Sequence, residues 1–180
     1  MINKTVAATL MMMLSGAAFA DGETAPTNQG NGVVNFVGAI IDAPCSIAPE
    51  SLDQTIQMGH IANSLLERQG ESPLRAFGIH LENCSLETAK TATITFNGIA
   101  DDTEKKHLAI QGSAKGAAIS MVNQRDGSEI VLGTPTNALS LVEGDNHLKF
   151  GAKVVSNVKT GEKATPGNFT ATADFIMSYQ

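Results

Sequence analysis

The chain has no tryptophan, one tyrosine and two cysteines in 180 residues, and its basic residues never cluster beyond the Lys105-Lys106 pair. With aromatics this scarce, the core must be built from Val, Ile, Leu, Ala and Met around the few phenylalanines. The want of a basic cluster, in a chain of formal charge −6, argues against nucleic acid as a partner, because an acidic surface repels phosphate backbones and anionic lipid alike. Nor is there an apolar run long enough to span a bilayer, which takes ~20 residues. The longest candidate, Val6 to Leu14, is roughly half that and lies close to the N-terminus.

That early stretch has Lys4 before it and Ala18-Phe19-Ala20 behind it, which is the pattern of a secretory leader with a small-residue cleavage site. Residues 1–20 are therefore expected to be removed, giving a soluble product from Asp21 to Gln180. Losing Lys4 leaves 11 basic against 18 acidic side chains, a formal charge of −7. In an exported chain, one even pair of cysteines most simply forms one disulfide, so Cys45 is expected to bond Cys84.

Signals for chemistry are also thin. His60, His80, His107 and His147 are each isolated in sequence, without a second His or Cys at ligand spacing, so no metal or other cofactor is expected. There is no Gly-x-Ser-x-Gly elbow, and Gly112-Ser-Ala-Lys-Gly116 lacks the strand-turn-helix setting of a phosphate cradle. The neighbouring carboxylates Asp101 and Asp102 would point apart on an extended backbone, unlike a glycosidase pair. Catalysis is not expected.

What the chain does contain is a series of short apolar runs: 33–41, 55–58, 76–81, 92–96, 117–122, 130–132, 148–155 and 169–179. Turn formers stand between them at Asn97-Gly98, Asp126-Gly127, Glu143-Gly-Asp-Asn146 and Thr160-Gly161. Short strands with turn punctuation predict an all-β sandwich. Asn63 to Arg68 is the exception and reads as a single helical turn.

Two of the runs carry the functional expectation. The closing one, Phe169, Ala171, Ala173, Phe175, Met177 and Tyr179, is apolar at every odd position, the period of a strand with one buried face. The leading one, Gly32-Val-Val34-Asn-Phe36-Val-Gly38-Ala-Ile40, follows a polar tail from Asp21 to Asn31 that has nothing to pack with. An apolar strand at a sheet edge needs cover, and the expected cover is the leading segment of another copy. Period two puts Gly32, Val34, Phe36, Gly38 and Ile40 on one face of that segment, the face expected to enter the neighbour.

The residues that carry a family likeness are Gly-x-Val-x-Phe-x-Gly at 32–38, Asp42-Ala-Pro-Cys45-Ser-Ile47, Asn83-Cys84, Gly167 fourteenth from the end, and the penultimate Tyr179. Over its whole mature length the chain resembles the subunits of bacterial fimbriae built by the chaperone–usher route, most closely the major rod subunits of P-pilus and type 1 kind. The resemblance implies an incomplete immunoglobulin-like fold, all-β, that lacks its last strand. It divides the chain into a leader (1–20), an arm and donor strand (21–41) and a pilin domain (42–180). Gly167, Phe169, Ala171, Ala173, Phe175, Met177 and Tyr179 would line the acceptor groove and the strand held by a periplasmic chaperone.

The partners implied are other copies of the chain, that chaperone, an outer-membrane usher and other fimbrial subunits, with passage through the periplasm to the cell surface. A minor or adaptor pilin of the same system is the nearest alternative. A free periplasmic β-sandwich binding protein is the alternative from another class, and it would stay monomeric.

Overall fold

In the computed structural model, residues 31–101, 105–159 and 162–180 are described; the predicted leader, the tail up to Gly30 and the Thr160-Gly161 turn lie outside them. Residues from Ile41 to Gln180 make one compact unit. In chain order it contains β1 (Ser46–Ile47), α1 (Pro49–Leu52), α2 (Asn63–Glu67), β2 (Arg75–Cys84), β3 (Thr91–Gly98), β4 (Leu108–Ala109), β5 (Gln111–Gly112), β6 (Ala117–Asn123), β7 (Glu129–Ile130), β8 (Leu139–Ser140), β9 (Gly144–Ser156), β10 (Phe169–Thr170) and β11 (Ala173–Tyr179).

The strands form two sheets over one core. The first has the order β1-β2-β9-β6-β4, with β7 also on β6; the second is β11-β3-β8; β10 and β5 pair as a small ribbon. All these pairings are antiparallel.

Alternation explains which face each strand turns inward. On β3, Ala92, Ile94 and Phe96 are buried while Thr91, Thr93 and Thr95 are only partly so, and Thr suits the half-exposed side of a pleat. On β2 and β9, Ile79, Leu81, Leu148, Phe150 and Val154 supply the opposing layer. Phe77, Phe96 and Phe150 meet there with ring centroids 5.4 to 6.1 Å apart, two of the three pairs edge-on. The phenylalanines thus concentrate where a tryptophan-free core needs its bulk.

Three expectations are corrected. The run at 55–58 keeps its alternation, with Ile56 and Met58 half-buried, but forms no strand. Asn97-Gly98 is not a turn: it is the end of β3, with Gly98 opposite Ala173. A Cβ there would fall 2.4 Å from Leu108 Cδ1 and 3.0 Å from Thr172 O, so Gly98 marks a close approach. The closing run is not one strand either. Phe169 and Thr170 pair with Gly112 and Gln111, and the ladder to β3 begins only at Ala173, because β3 itself stops at Gly98.

The helical turn at 63–68 is present as α2, and Asp126-Gly127 does turn the chain, Gly127 with φ +72°. Hydrogen bonds from Asn137 and Ser128 to the Asp126 carboxylate brace that turn and hold its pKa at about 2.

The β10–β5 ribbon depends on a glycine. Gly112 has φ +133°, and a Cβ would sit 2.3 Å from the Asn168 carbonyl oxygen. Gly112→Ala is therefore expected to cost about 2 kcal/mol or more, from strain and backbone collision together. Thermal or denaturant unfolding of the protein would read it as a fall in midpoint.

Candidate functional site: the unpaired edge of the closing strand

β11 pairs with β3 over seven residues, from Ala173 opposite Gly98 to Tyr179 opposite Ala92. Its end is pinned as well: Gln180 O accepts hydrogen bonds from Lys90 N–H and Thr91 N–H, and Gln180 N–H donates to Thr91 O. Among the described residues no strand pairs with its other edge. A row of backbone donors and acceptors is thus left on that side, which is a template for strand addition.

Burial shows the same gap from the side-chain direction. Ala173, Phe175, Met177 and Tyr179 all face the core and pack against it, yet each is only half-buried. On the neighbouring β3 the inward residues are sealed, Ala92 and Ile94 at 0% exposure and Phe96 at 3%. Phe175 touches Phe96 at a centroid distance of 6.2 Å, so the rows belong to one core and only the outer row lies open. Burial has pushed the Tyr179 hydroxyl pKa up, and that hydroxyl is enclosed without a hydrogen-bond partner.

The remaining predicted lining residues divide. Phe169 and Ala171 pack against the same core, one in β10 and the other between β10 and β11. Gly167 serves the ribbon instead: a Cβ on it would lie 2.4 Å from Ser113 Oγ and 2.6 Å from Ala114 N, so its place is a close backbone crossing. Sequence reading missed β1, the edge strand of the first sheet, where Ile47 is half-buried against the core. The alternation of Cys45 with Ile47 is its sole signal, too short to be read as a strand.

The described residues of the predicted arm are exposed. Residues 31–42 form no helix or strand, and Val34, Phe36 and Ile40 are exposed, Phe36 at 91%. Val33 and Val37 on the other face are exposed too. A Cβ at Gly32 or Gly38 would meet nothing within 4 Å. At the root of the arm, Cys45 and Cys84 are bonded and buried.

A fimbrial protein family model matches residues 34–180, which include every strand from β1 to β11. The chain belongs to the fimbrial protein family. It is 47% identical over 155 residues to the fimbria A protein of Serratia marcescens, covering 85% of this chain and 87% of that one. To the major MR/P fimbria protein of Proteus mirabilis it is 43% identical, covering 92% and 93%. Among solved structures it matches the P pilus rod subunit PapA with a TM-score of 0.69 and 31% identity, over 77% of this chain and all of that one. A chaperone–usher pilus solved to explain rod uncoiling matches with a TM-score of 0.78 and 34% identity, over 87% and 100%. This fimbrial protein accordingly has the immunoglobulin-like pilin fold.

Three of the histidines make contacts that their isolation in sequence does not reveal. Antiparallel register places His80 opposite His147, and their rings stack at 4.0 Å, with Glu50 Oε1 3.3 Å from His80 Nδ1. His107 Nε2 lies 2.9 Å from Glu129 Oε1, and Lys106 Nζ is 3.2 Å from the other oxygen. Burial pushes the Glu129 carboxyl up, but its bonds with His107 and Lys106 outweigh that and hold it below the ordinary range. These contacts tie strands and loops together.

Proposed function

We propose that this chain is a structural shaft subunit of a bacterial surface fimbria, in which residues 32–40 of one copy add to the free edge of β11 in the next. The carrying observation is the half-buried inward row Ala173, Phe175, Met177 and Tyr179 beside an unpaired strand edge. β-Strand addition, for which chaperone–pilin complexes are a standing example, supplies backbone hydrogen bonds along the edge and side chains for the open pockets. Val34, Phe36 and Ile40 are the side chains offered, each contributing ~1.5 to 3 kcal/mol when fully buried. The contact is head-to-tail and does not close on itself, so it builds a filament.

Before assembly the same edge needs a temporary occupant, since an open apolar strand edge in an exported chain invites aggregation. A periplasmic chaperone fills that role in this reading, and an outer-membrane usher exchanges it for the next subunit's arm on the way to the surface. The work of the chain is then mechanical and adhesive support, not catalysis.

Deleting residues 21–38 tests the proposal. Electron microscopy and gel analysis of surface material should find fibres of this chain in the intact strain and none in the deletion strain, with the truncated subunit still recoverable on its chaperone. Fibres from the truncated chain would refute the junction. A single copy per fibre would move the chain to the adaptor role.

A further inference from the structure

In a fibre joined through arms, tension enters each subunit along residues 32–40 and leaves through β11, so the root of the arm has to hold. This rests on the assembly reading above. The first pairing after the arm is β1, only two residues long, with Ser46 opposite Glu82 and Ile47 opposite Leu81. Next come α1, of four residues, and a few ties to β2. Ala48 N–H donates to His80 O at 3.0 Å, His80 N–H to Ser51 Oγ at 2.9 Å, and Gln54 Nε2 to Gly78 O at 2.8 Å. Pulled from Cys45, such bonds would open one after another, and each is worth only ~1 kcal/mol net.

Cys45 immediately precedes β1 and is bonded to Cys84, the last residue of β2; the two are 3% and 2% exposed. β2 is laddered to β9 from Arg75 opposite Ala152 to Cys84 opposite Gly144, and β9 to β6 over seven residues. We propose that the Cys45–Cys84 disulfide is a load-bearing clamp, which passes tension from the arm into the β2–β9–β6 body and bypasses β1 and α1. A covalent bond in parallel with β1 blocks its peeling, because Cys45 cannot leave Cys84 while the bond stands. Ser85 N–H donating to Pro44 O at 2.9 Å ties the two segments at the same place. This role is separate from the stabilisation that any loop closure brings.

Single fibres of the full chain held at constant load test the clamp. Apart from any uncoiling of the rod, which wild type and variant would share, wild-type fibres should show no early lengthening. In Cys45→Ala/Cys84→Ala fibres, β1 and α1 should peel first, releasing Ser46 to Ile61 up to α2, whose Leu66 is held in the core, as a step of roughly 5 nm per subunit at ~3.5 Å per residue, and lifetimes should fall several-fold. Where that variant does not assemble, wild-type fibres in a phosphine reductant decide: both sulfurs are buried, so lifetime should fall several-fold under load and stay unchanged without it. A lifetime under load indifferent to the reductant, or variant fibres without the early step, would overturn the clamp alone. Absence of this chain from the fibres would overturn the assembly reading and the clamp together.

Discussion

Gly38→Asn should abolish fibres while leaving the subunit folded and bound to its chaperone. The structure separates the two effects. A Cβ at position 38 has nothing within 4 Å of it in the subunit, and Gly38 does not have a positive φ, so the substitution costs the free chain almost nothing. In the proposed junction, Gly38 shares a face with Val34, Phe36 and Ile40, and an Asn side chain there would meet the neighbour's β11 or its core. Yields of chaperone complex should therefore match wild type, with no polymer on electron micrographs. Normal fibres from this variant would mean that the odd face of the arm, Val33, Asn35 and Val37, is the one that enters.

Charge on the receiving strand should act differently. Met177→Lys places an ammonium on the half-buried inward row of β11; in the open subunit its stem can lie along the groove with the charge in water. Once any strand closes the groove, the charge is buried without a partner, at a cost of several kcal/mol. Fibre assembly and chaperone capture should both be lost, and the subunit should be degraded. The adjacent substitution Ile176→Lys is the control. Ile176 faces outward and is 58% exposed, so fibres and chaperone complex should both persist. The pair reads the faces of β11 independently of the arm, and loss of fibres in both variants would contradict the assignment.

These opposite expectations come from one periodicity, which was also the most legible feature of the sequence. Thr and apolar residues alternate through 91–96, and β3 follows them; the apolar runs at 76–81 and 148–155 sit inside β2 and β9. Length set the limit of that reading. β1, β4, β5, β8 and β10 are two residues each, too short for a period to register. Closeness is equally silent in sequence: Asn97-Gly98 has turn chemistry, yet Gly98 is used for the approach of Leu108 and Thr172.

The run at 33–41 shows a further kind of silence. Its residues alternate like a strand, but no strand forms there. In the assembly proposed, its hydrogen-bonding partner is a different copy of the chain, and local pattern contains no information on which molecule completes a ladder. Stacking of His80 on His147 likewise depends on the register between two strands 67 positions apart in sequence, which periodicity alone does not set.

Amide hydrogen exchange, compared between assembled fibres and the same subunit before assembly, tests strand addition most directly. Residues 32–40 should go from open-chain exchange rates to strong protection at alternate amides, with new protection along the free edge of β11. If the arm amides in intact fibres still exchange as they do in the separate subunit, the fibre is not held together by strand addition.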